Sequence, residues 1–181
     1  MELFGLVDED SVDRELWDNI YNKMDKRPVM LVGVTGCGKT HKIIKTAAIG
    51  YLLYITAADR TDLKDDSYIE LTQLTNESVD AINRKHLALF IGCRLIALLY
   101  QLQKYKITPG EYFYTQYNGN TKGLWDLFED LISQVEDPFR FCKDLVLRIR
   151  DNETFKKYNL IGIALDECGV MDKDCANKFT S

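Results

Sequence analysis

Apolar residues recur along the first third of the chain in patterns that predict alternating helices and strands. Between Ser11 and Lys26 they are spaced by three and four among charged residues, which predicts an amphipathic helix leading into the domain. Unbroken apolar runs at residues 28–34 and Tyr51–Thr56 are typical of buried parallel strands. Residues 38–49, between these runs, are predicted to be helical. A strand, a helix and a strand within about thirty residues indicate a βαβ unit.

The middle of the chain is predicted to be almost entirely helical. Apolar positions over residues 76–105 indicate one long helix or two helices broken near Gly92. Residues 108–111 have the spacing of a capping box with proline in the first turn, so a short helix should begin there. Two more helices are predicted over residues 121–135 and residues 137–150, the latter with proline as its first helical residue.

A last apolar run at residues 160–165 predicts a buried strand that ends in Asp166 and Glu167. The predicted fold class is therefore α/β, with a mostly parallel sheet and a large helical insert between the second strand and this last strand. The expected parts are an amphipathic helical region at residues 1–27, a core at residues 28–168 with its insert at about 76–150, and a polar tail at residues 169–181.

Composition and charge exclude several classes of protein. The 181 residues are 46% hydrophobic, which fits one globular domain. The formal net charge of -5 gives no field that would draw the whole chain onto nucleic acid or an anionic membrane. The five cysteines are scattered without zinc-ligand spacing, so we expect reduced thiols. The acidic amino terminus matches neither a secretory signal nor a transit peptide, so we expect a cytoplasmic or nuclear protein.

One segment suggests a membrane span, but its length and charge argue against that interpretation. Residues 86–102 are largely apolar, yet they are fewer than the roughly 20 residues that a span requires, and they contain Arg94 at the centre. We therefore expect a buried helix and no membrane partner.

Residues 33–40 match the phosphate-binding loop G-x-x-x-x-G-K-[ST] without a mismatch, and they lie between a predicted strand and a predicted helix. Backbone N–H groups of such a loop point at the phosphates, and the following helix directs its positive end at the same place. Lys39 would contact the β and γ phosphates, and the Thr40 hydroxyl would bind magnesium. The predicted nucleotide-binding residues are Gly33, Val34, Thr35, Gly36, Cys37, Gly38, Lys39, Thr40 and His41.

The acidic pair after the last strand is the second candidate for chemistry. An aspartate at the end of a strand beside a phosphate-binding loop can hold magnesium, and an adjacent glutamate can orient and polarise the attacking water. We therefore predict Thr40 and Asp166 as metal ligands, and Glu167 with Lys39 as catalytic residues. A helix-capping acidic pair is the alternative interpretation.

Two other groups of residues have a functional and a structural interpretation, and we favour the structural one for both. Arginines on the predicted helix 137–150 could reach a phosphate, but a solvated helix face is the more usual arrangement. Aromatic residues could stack on bases, but core packing is the more usual role. The two groups are Arg140, Arg148 and Arg150, and Tyr112, Phe113, Tyr114 and Tyr117.

With both motifs in place, the chain resembles the glutamate-bearing division of P-loop ATPases, which includes the AAA-like and signal-transducing ATPases. More narrowly, it resembles the ATPase region of crinkler-type proteins of fungi and oomycetes. The narrower resemblance rests on the Trp17 helix, the loop and second strand, the insert with residues 94–99 and 108–113, and the Walker B strand at residues 163–167. It implies a three-layer P-loop fold that takes ATP with Mg2+, and either self-association or a further domain after the ATPase region.

The first functional hypothesis is an ATPase with slow, magnesium-dependent hydrolysis. The alternatives are a nucleotide-gated binding module without appreciable turnover and a small-molecule kinase, although an arginine-rich lid is absent from the sequence. No N-K-x-D motif for guanine is present, so ATP as the ligand rests on the resemblance. Because only three strands are predicted, we expect an unfinished sheet with two open edges, and slow turnover.

Overall fold

The computed structural model describes residues 39–56, 80–117 and 122–166. Within these ranges the chain forms an α/β fold that is mostly helical and contains a small sheet of two parallel strands. In chain order the elements are α1 (Lys39–Ala47), β1 (Tyr51–Thr56), α2 (Asp80–Tyr105), α3 (Pro109–Tyr117), α4 (Lys122–Ile132), α5 (Pro138–Arg150), α6 (Glu153–Lys156) and β2 (Ile161–Asp166).

One face of the sheet, which we call the α1 face, is covered by α1 and α3. Only three residues separate α1 from β1, so the helix packs back on the strand and runs in the opposite direction. Position 50 in this turn requires a glycine on steric grounds, because a Cβ there would overlap the side chain of Leu160. The buried cluster on this face consists of Ile43 and Ala47 of α1, Leu52 and Tyr54 of β1, and Phe113 of α3, with Ala164 of β2 packed against it.

The opposite face of the sheet, which we call the α2 face, is covered by the long helix α2. Tyr51 and Leu53 of β1 form a buried cluster with leucines of the second half of α2. Ile55 instead packs with residues of the first half of α2, including Phe90. Helix α2 therefore also runs opposite to β1, and its first half lies at the end of the sheet where the strands finish.

Helix α2 is a single helix of 26 residues that continues through Gly92. The alternative of two helices broken at this glycine is therefore wrong. Gly92 lies instead where α2 packs against α5, and a Cβ on it would approach the Phe141 ring to 3.2 Å and the Cys142 sulfur to 3.4 Å. The absence of a side chain at Gly92 lets the two helices pack closely.

The outer edge of β1 is occupied by the side-chain amide of Gln116 on α3. Its Nε2 donates to the carbonyl oxygen of Leu52 at 2.8 Å, and its Oε1 accepts from the N–H of Tyr54 at 3.0 Å. A neighbouring parallel strand would bond to the same two backbone groups. Gln116 therefore takes the place of a strand, and the expectation of an open edge on this side of the sheet is wrong.

Two predicted helix starts are confirmed. At α3, the N–H and the hydroxyl of Thr108 each donate to Oε2 of Glu111 at 2.8 Å, which forms the expected capping box. At α5, the side chain of Asp137 accepts from the N–H of Arg140 at 3.0 Å, and Pro138 is the first helical residue.

The other predicted elements are found with small shifts or lie outside the described residues. The helix predicted over residues 121–135 is α4, which ends three residues earlier, and the strand predicted at residues 160–165 is β2, which begins and ends one residue later. The amphipathic helix at residues 11–26, the strand at residues 28–34 and the tail at residues 169–181 lie outside the described residues.

Candidate functional site

The structure describes part of the predicted nucleotide site. Lys39, Thr40 and the exposed His41 form the first turn of α1, and Asp166 is the last residue of β2. For Lys39, Thr40 and Asp166 the backbone alone is described. The predicted site residues outside the described ranges are Gly33, Val34, Thr35, Gly36, Cys37, Gly38 and Glu167.

The backbone directs the start of α1 and the end of β2 toward the same edge of the sheet. Because α1 runs opposite to β1, its N-terminus lies toward the carboxyl end of that strand. Thr56 and Asp166 are register partners at this end. Asp166 shares the α1 face with Ala164, since residues two apart in a strand lie on the same face. The first turn of α1 and the end of β2 therefore belong to one face and one end of the sheet.

The start of α1 has the electrostatic features that attract a negatively charged group. The first turn of α1 contains no acidic residue, and the unbonded N–H groups and dipole of a helix N-terminus attract negative charge. Threonine and aspartate, the residue types at positions 40 and 166, carry oxygen atoms of the kind that magnesium prefers. Within the described residues, no group of three or more histidine, cysteine or acidic side chains could hold a metal by itself.

A buried arginine lies on the α2 face of the sheet. Arg94, in the middle of α2, is 2% exposed, and its guanidinium carbon lies 4.8 Å from the centroid of the Phe90 ring. The hydroxyl of Tyr112 donates to the carbonyl oxygen of Arg94 at 3.2 Å. In the sequence, this charge serves only as an argument against a membrane span. The sequence could nevertheless have indicated the burial of Arg94, because an arginine within an apolar helical run must be buried together with partners.

The thiols of Cys93 and Cys142 lie in surroundings that disfavour the thiolate. Burial raises the pKa of the Cys93 thiol to about 12, although the positive charge of Arg94 acts in the opposite direction. Burial also raises the pKa of Cys142, whose thiol donates to the carbonyl oxygen of Ala88 at 3.0 Å. Both thiols remain protonated at neutral pH, so neither is a candidate nucleophile.

Tyr112 and Phe113 of α3 and the arginines of α5 take the structural roles that we favour for them, whereas Tyr114 does not pack in the core. Tyr112 and Phe113 are buried in the core, whereas Tyr114 is 48% exposed. The side chain of Tyr117 is outside the described part of the structure. The exposed residues of α5 include Arg140, Arg148 and Arg150, as expected for a solvated helix face.

A cavity of about 320 Å³ lies between the start of α2 and the connection from α4 to α5. Its lining combines charged residues such as Lys85 and Glu136 with apolar residues such as Leu89. Burial lowers the pKa of His86, which also lines the cavity, so this ring is neutral at pH 7. None of the lining residues belongs to α1, β1 or β2, so the cavity is separate from the described part of the predicted nucleotide site.

Within the described residues, one stretch of α2, Arg84–Tyr105, is long and apolar enough to cross a membrane. Within an 18-residue window of this stretch, 56% is buried inside the protein, as in the helix of a protein core. This burial agrees with the interpretation of residues 86–102 as a buried helix.

Comparisons of the chain with protein-family models, with curated proteins and with solved structures give no match. A functional proposal therefore depends on the residues of the chain and their arrangement.

Proposed function

We propose that the chain binds magnesium ATP through residues 33–40 and hydrolyses it slowly. The observation that carries the proposal is that the phosphate-binding motif runs directly into α1, whose first turn lies at the same end and face of the sheet as Asp166. Phosphoryl transfer to water requires a phosphate cradle, a metal-binding carboxylate and an oriented water at one place. The described backbone would allow the phosphate cradle and the metal-binding carboxylate to lie close together.

The handedness of strand connections supports a strand order that brings the loop close to Asp166. The connection from β1 to β2 passes mainly over the α2 face, through α2 and α5, although α3 within it reaches the α1 face. Helix α1, on the α1 face, joins the predicted strand at residues 28–34 to β1. Crossovers between parallel strands are right-handed in nearly all proteins. Two right-handed crossovers on opposite faces must move across the sheet in opposite directions. If residues 28–34 form the predicted parallel strand, this rule favours a place for it on the β2 side of the sheet.

Gln116 supports the same order independently of the crossover rule. Its amide already bonds to the outward backbone groups of Leu52 and Tyr54, so β1 has no room for another strand on that side. The edge of β2 is therefore where the described sheet best accepts a further strand. The phosphate-binding loop, which follows the predicted strand, would then lie next to the end of β2, where Asp166 is the last residue.

The proposed roles follow from the chemistry of each group. Lys39 contacts the β and γ phosphates as a point charge, and the loop backbone donates hydrogen bonds to the phosphate oxygens. Thr40 and Asp166 hold magnesium, which when bound neutralises charge on the phosphates. Glu167 orients and polarises the attacking water.

We also propose the three-layer P-loop fold of the glutamate-bearing ATPases, and more narrowly of the crinkler-type ATPase region. Helices on both faces of a parallel sheet support the three layers, and the motifs support the division. We propose as well that the protein is located in the cytoplasm or the nucleus.

One observation favours the alternative of a nucleotide-gated binding module. Ile163, at the centre of β2, is 48% exposed, whereas its register partner Leu53 on the same face is 1% exposed. A parallel strand is normally covered on both faces, so this position marks a surface where a further element, from this chain or a partner, would pack.

Phosphate release without an added acceptor tests the proposal. The parent protein should release phosphate slowly from magnesium ATP, and Glu167→Gln should bind ATP at least as well while hydrolysing it about 100-fold more slowly, since water activation matters chiefly in the transition state.

Each other outcome points to a different function. Equal loss of binding and hydrolysis in Glu167→Gln would make Glu167 structural. Phosphate transfer that requires an acceptor would indicate a kinase. A nucleotide-dependent change in oligomeric state without release would favour the binding module.

A further inference from the structure

The cavity between the start of α2 and the connection from α4 to α5 has features of a binding site that the nucleotide chemistry does not use. Its volume of about 320 Å³ lies at the small end of the range that ligand pockets span, roughly 300–1,000 Å³. Ligand pockets combine apolar walls with a few polar groups that fix the orientation of the ligand. The lining of this cavity contains both, and its polar groups indicate which ligand would fit.

The apolar part of the lining reaches from the protein core to the surface. Leu89 of α2 is 2% exposed, and Pro138, the first residue of α5, is also buried. Val135 is partly buried, whereas Ile132, the last residue of α4, is 39% exposed. A small aliphatic group in the cavity would therefore cover apolar surface that faces water in its absence, which is favourable.

Two opposite charges line the same cavity. Lys85 belongs to α2 and Glu136 to the connection between α4 and α5, and both side chains are exposed. Among the residues that the structure describes, these two do not form a salt bridge with each other, so both charges are available to a ligand. A ligand with a single charge would be attracted by one of them and repelled by the other, whereas a zwitterion matches both.

His86, next to Lys85 in the lining, adds a neutral polar group. Its ring packs edge-on against Phe128, with the ring centroids 6.0 Å apart, and burial lowers its pKa. In the described part of the structure its Nδ1 atom is buried and has no hydrogen-bond partner. Because a buried N–H without an acceptor is rarer than a buried acceptor without a donor, the ring proton belongs on Nε2. The Nε2–H group can then donate to a carboxylate that Lys85 attracts.

We propose that this cavity binds a free α-amino acid with an aliphatic side chain, such as leucine. The carboxylate of the ligand accepts from Lys85 and from Nε2 of His86, and its ammonium group donates to Glu136. The aliphatic side chain packs against Leu89 and Val135. Binding at this site does not depend on nucleotide.

NMR titration of the nucleotide-free protein with L-leucine tests whether the site exists. Because the two charged side chains are exposed, the expected Kd is modest, about 1 mM or tighter. The backbone amide signals of Leu89, Ser133 and Val135 should shift progressively, whereas that of Lys42 on α1 should not. No shift at the three cavity positions with about 10 mM leucine would overturn the proposal.

Analogues of leucine test each contact of the ligand. Leucinamide lacks the carboxylate, 4-methylpentanoate lacks the ammonium group, and glycine lacks the aliphatic side chain. Each should bind at least about 5-fold more weakly than leucine, because each loses a charged contact or the burial of apolar surface. Binding of 4-methylpentanoate or leucinamide as tight as that of leucine would contradict recognition of a zwitterion.

Variants of the two charged residues test the protein side of the same contacts. Lys85→Met and Glu136→Gln should each weaken leucine binding about 5-fold or more, and both should fold because the side chains are exposed. Lys143→Met, at an exposed position of α5, is the matched control and should bind like the parent. Unchanged affinity in Lys85→Met or in Glu136→Gln would overturn the assigned contacts. Lys39→Ala should also bind leucine like the parent, so failure of the nucleotide proposal would leave this result intact.

Discussion

At the scale of single residues, the capping box at the start of α3 shows how a local charge contributes to stability. The N–H of Thr108 donates to the Glu111 carboxylate, and so does its hydroxyl, each at 2.8 Å. These bonds, the backbone bond first, lower the pKa of Glu111 below its usual value. A carboxyl group with a lowered pKa stabilises the folded state above its unfolded pKa, and this contribution is lost as the pH falls through the folded pKa.

Glu111→Gln should therefore lower the free energy of unfolding by about 0.5–1 kcal/mol at pH 7, a modest effect because solvent screens the charge of this exposed side chain. The difference from the parent should shrink as the pH is lowered through the acid range. Urea denaturation at several pH values measures it. Glu136→Gln, at an exposed carboxylate outside any helix, serves as the control. A difference that stays constant down to low pH would contradict the charged cap.

The contrast between Glu111 and Arg94 explains which residues the sequence can predict. The partner of Glu111 is three residues away, so spacing alone predicts the contact. Arg94 contacts Phe90 of its own helix, but the Tyr112 hydroxyl that bonds to its carbonyl belongs to another helix and lies 18 residues away. Gln116 bonds to backbone groups 62 and 64 residues away, and no periodic pattern carries that information. Local chemistry was therefore predictable, whereas contacts between distant elements were not.

At the scale of elements, the same distinction applies to helices and strands. The limits of β1 were predicted without error because an apolar run ends where the chain leaves the core. The sequence left open whether α2 continues through Gly92, because glycine weakens helical propensity. The reason for a glycine at this position is the close packing of α5 against α2, which the sequence does not show. The closed edge of β1 was likewise missed, because it depends on a side chain of α3.

Gln116→Leu tests the role of α3 in closing the sheet edge. It should lower the free energy of unfolding by about 1–3 kcal/mol, because the carbonyl of Leu52 and the N–H of Tyr54 lose their partner. The exposed edge should also promote concentration-dependent self-association. Urea denaturation and sedimentation velocity measure the two effects. Gln103→Leu, on the exposed side of α2, should change neither. A Gln116→Leu protein that is as stable and monomeric as the control would refute this role.

At the scale of the whole molecule, the described sheet has one edge closed by Gln116 and the other bounded by β2. Within the described residues nothing pairs with the outer edge of β2. The bond from the N–H of Tyr51 to the carbonyl of Leu160 fixes the orientation of the strand. The N–H groups of Gly162 and Ala164 therefore point toward β1, and those of Ile161, Ile163 and Leu165 point away from it.

Amide hydrogen exchange at β2 tests the proposed strand order. If another parallel strand lies beside β2, the outward N–H groups of Ile161, Ile163 and Leu165 should exchange as slowly as those of Gly162 and Ala164, which serve as internal controls. Fast exchange confined to the three outward groups would show that no strand covers this edge. The proposal that residues 28–34 bring the phosphate-binding loop to this side of the sheet would then lose its support.

The central claim is that residues 33–40 bind the phosphates of a nucleotide, and Lys39→Ala tests it most directly. The same lysine-to-alanine change at Lys42, an exposed position on the same helix, is the matched control. Each protein is titrated with ATP by calorimetry, with magnesium and with the metal chelated. The parent and Lys42→Ala should bind magnesium ATP alike and more weakly without the metal, whereas Lys39→Ala should lose tight binding, because the loop loses its side-chain cation at the phosphates. Equal affinity of Lys39→Ala and the parent for magnesium ATP would contradict the account.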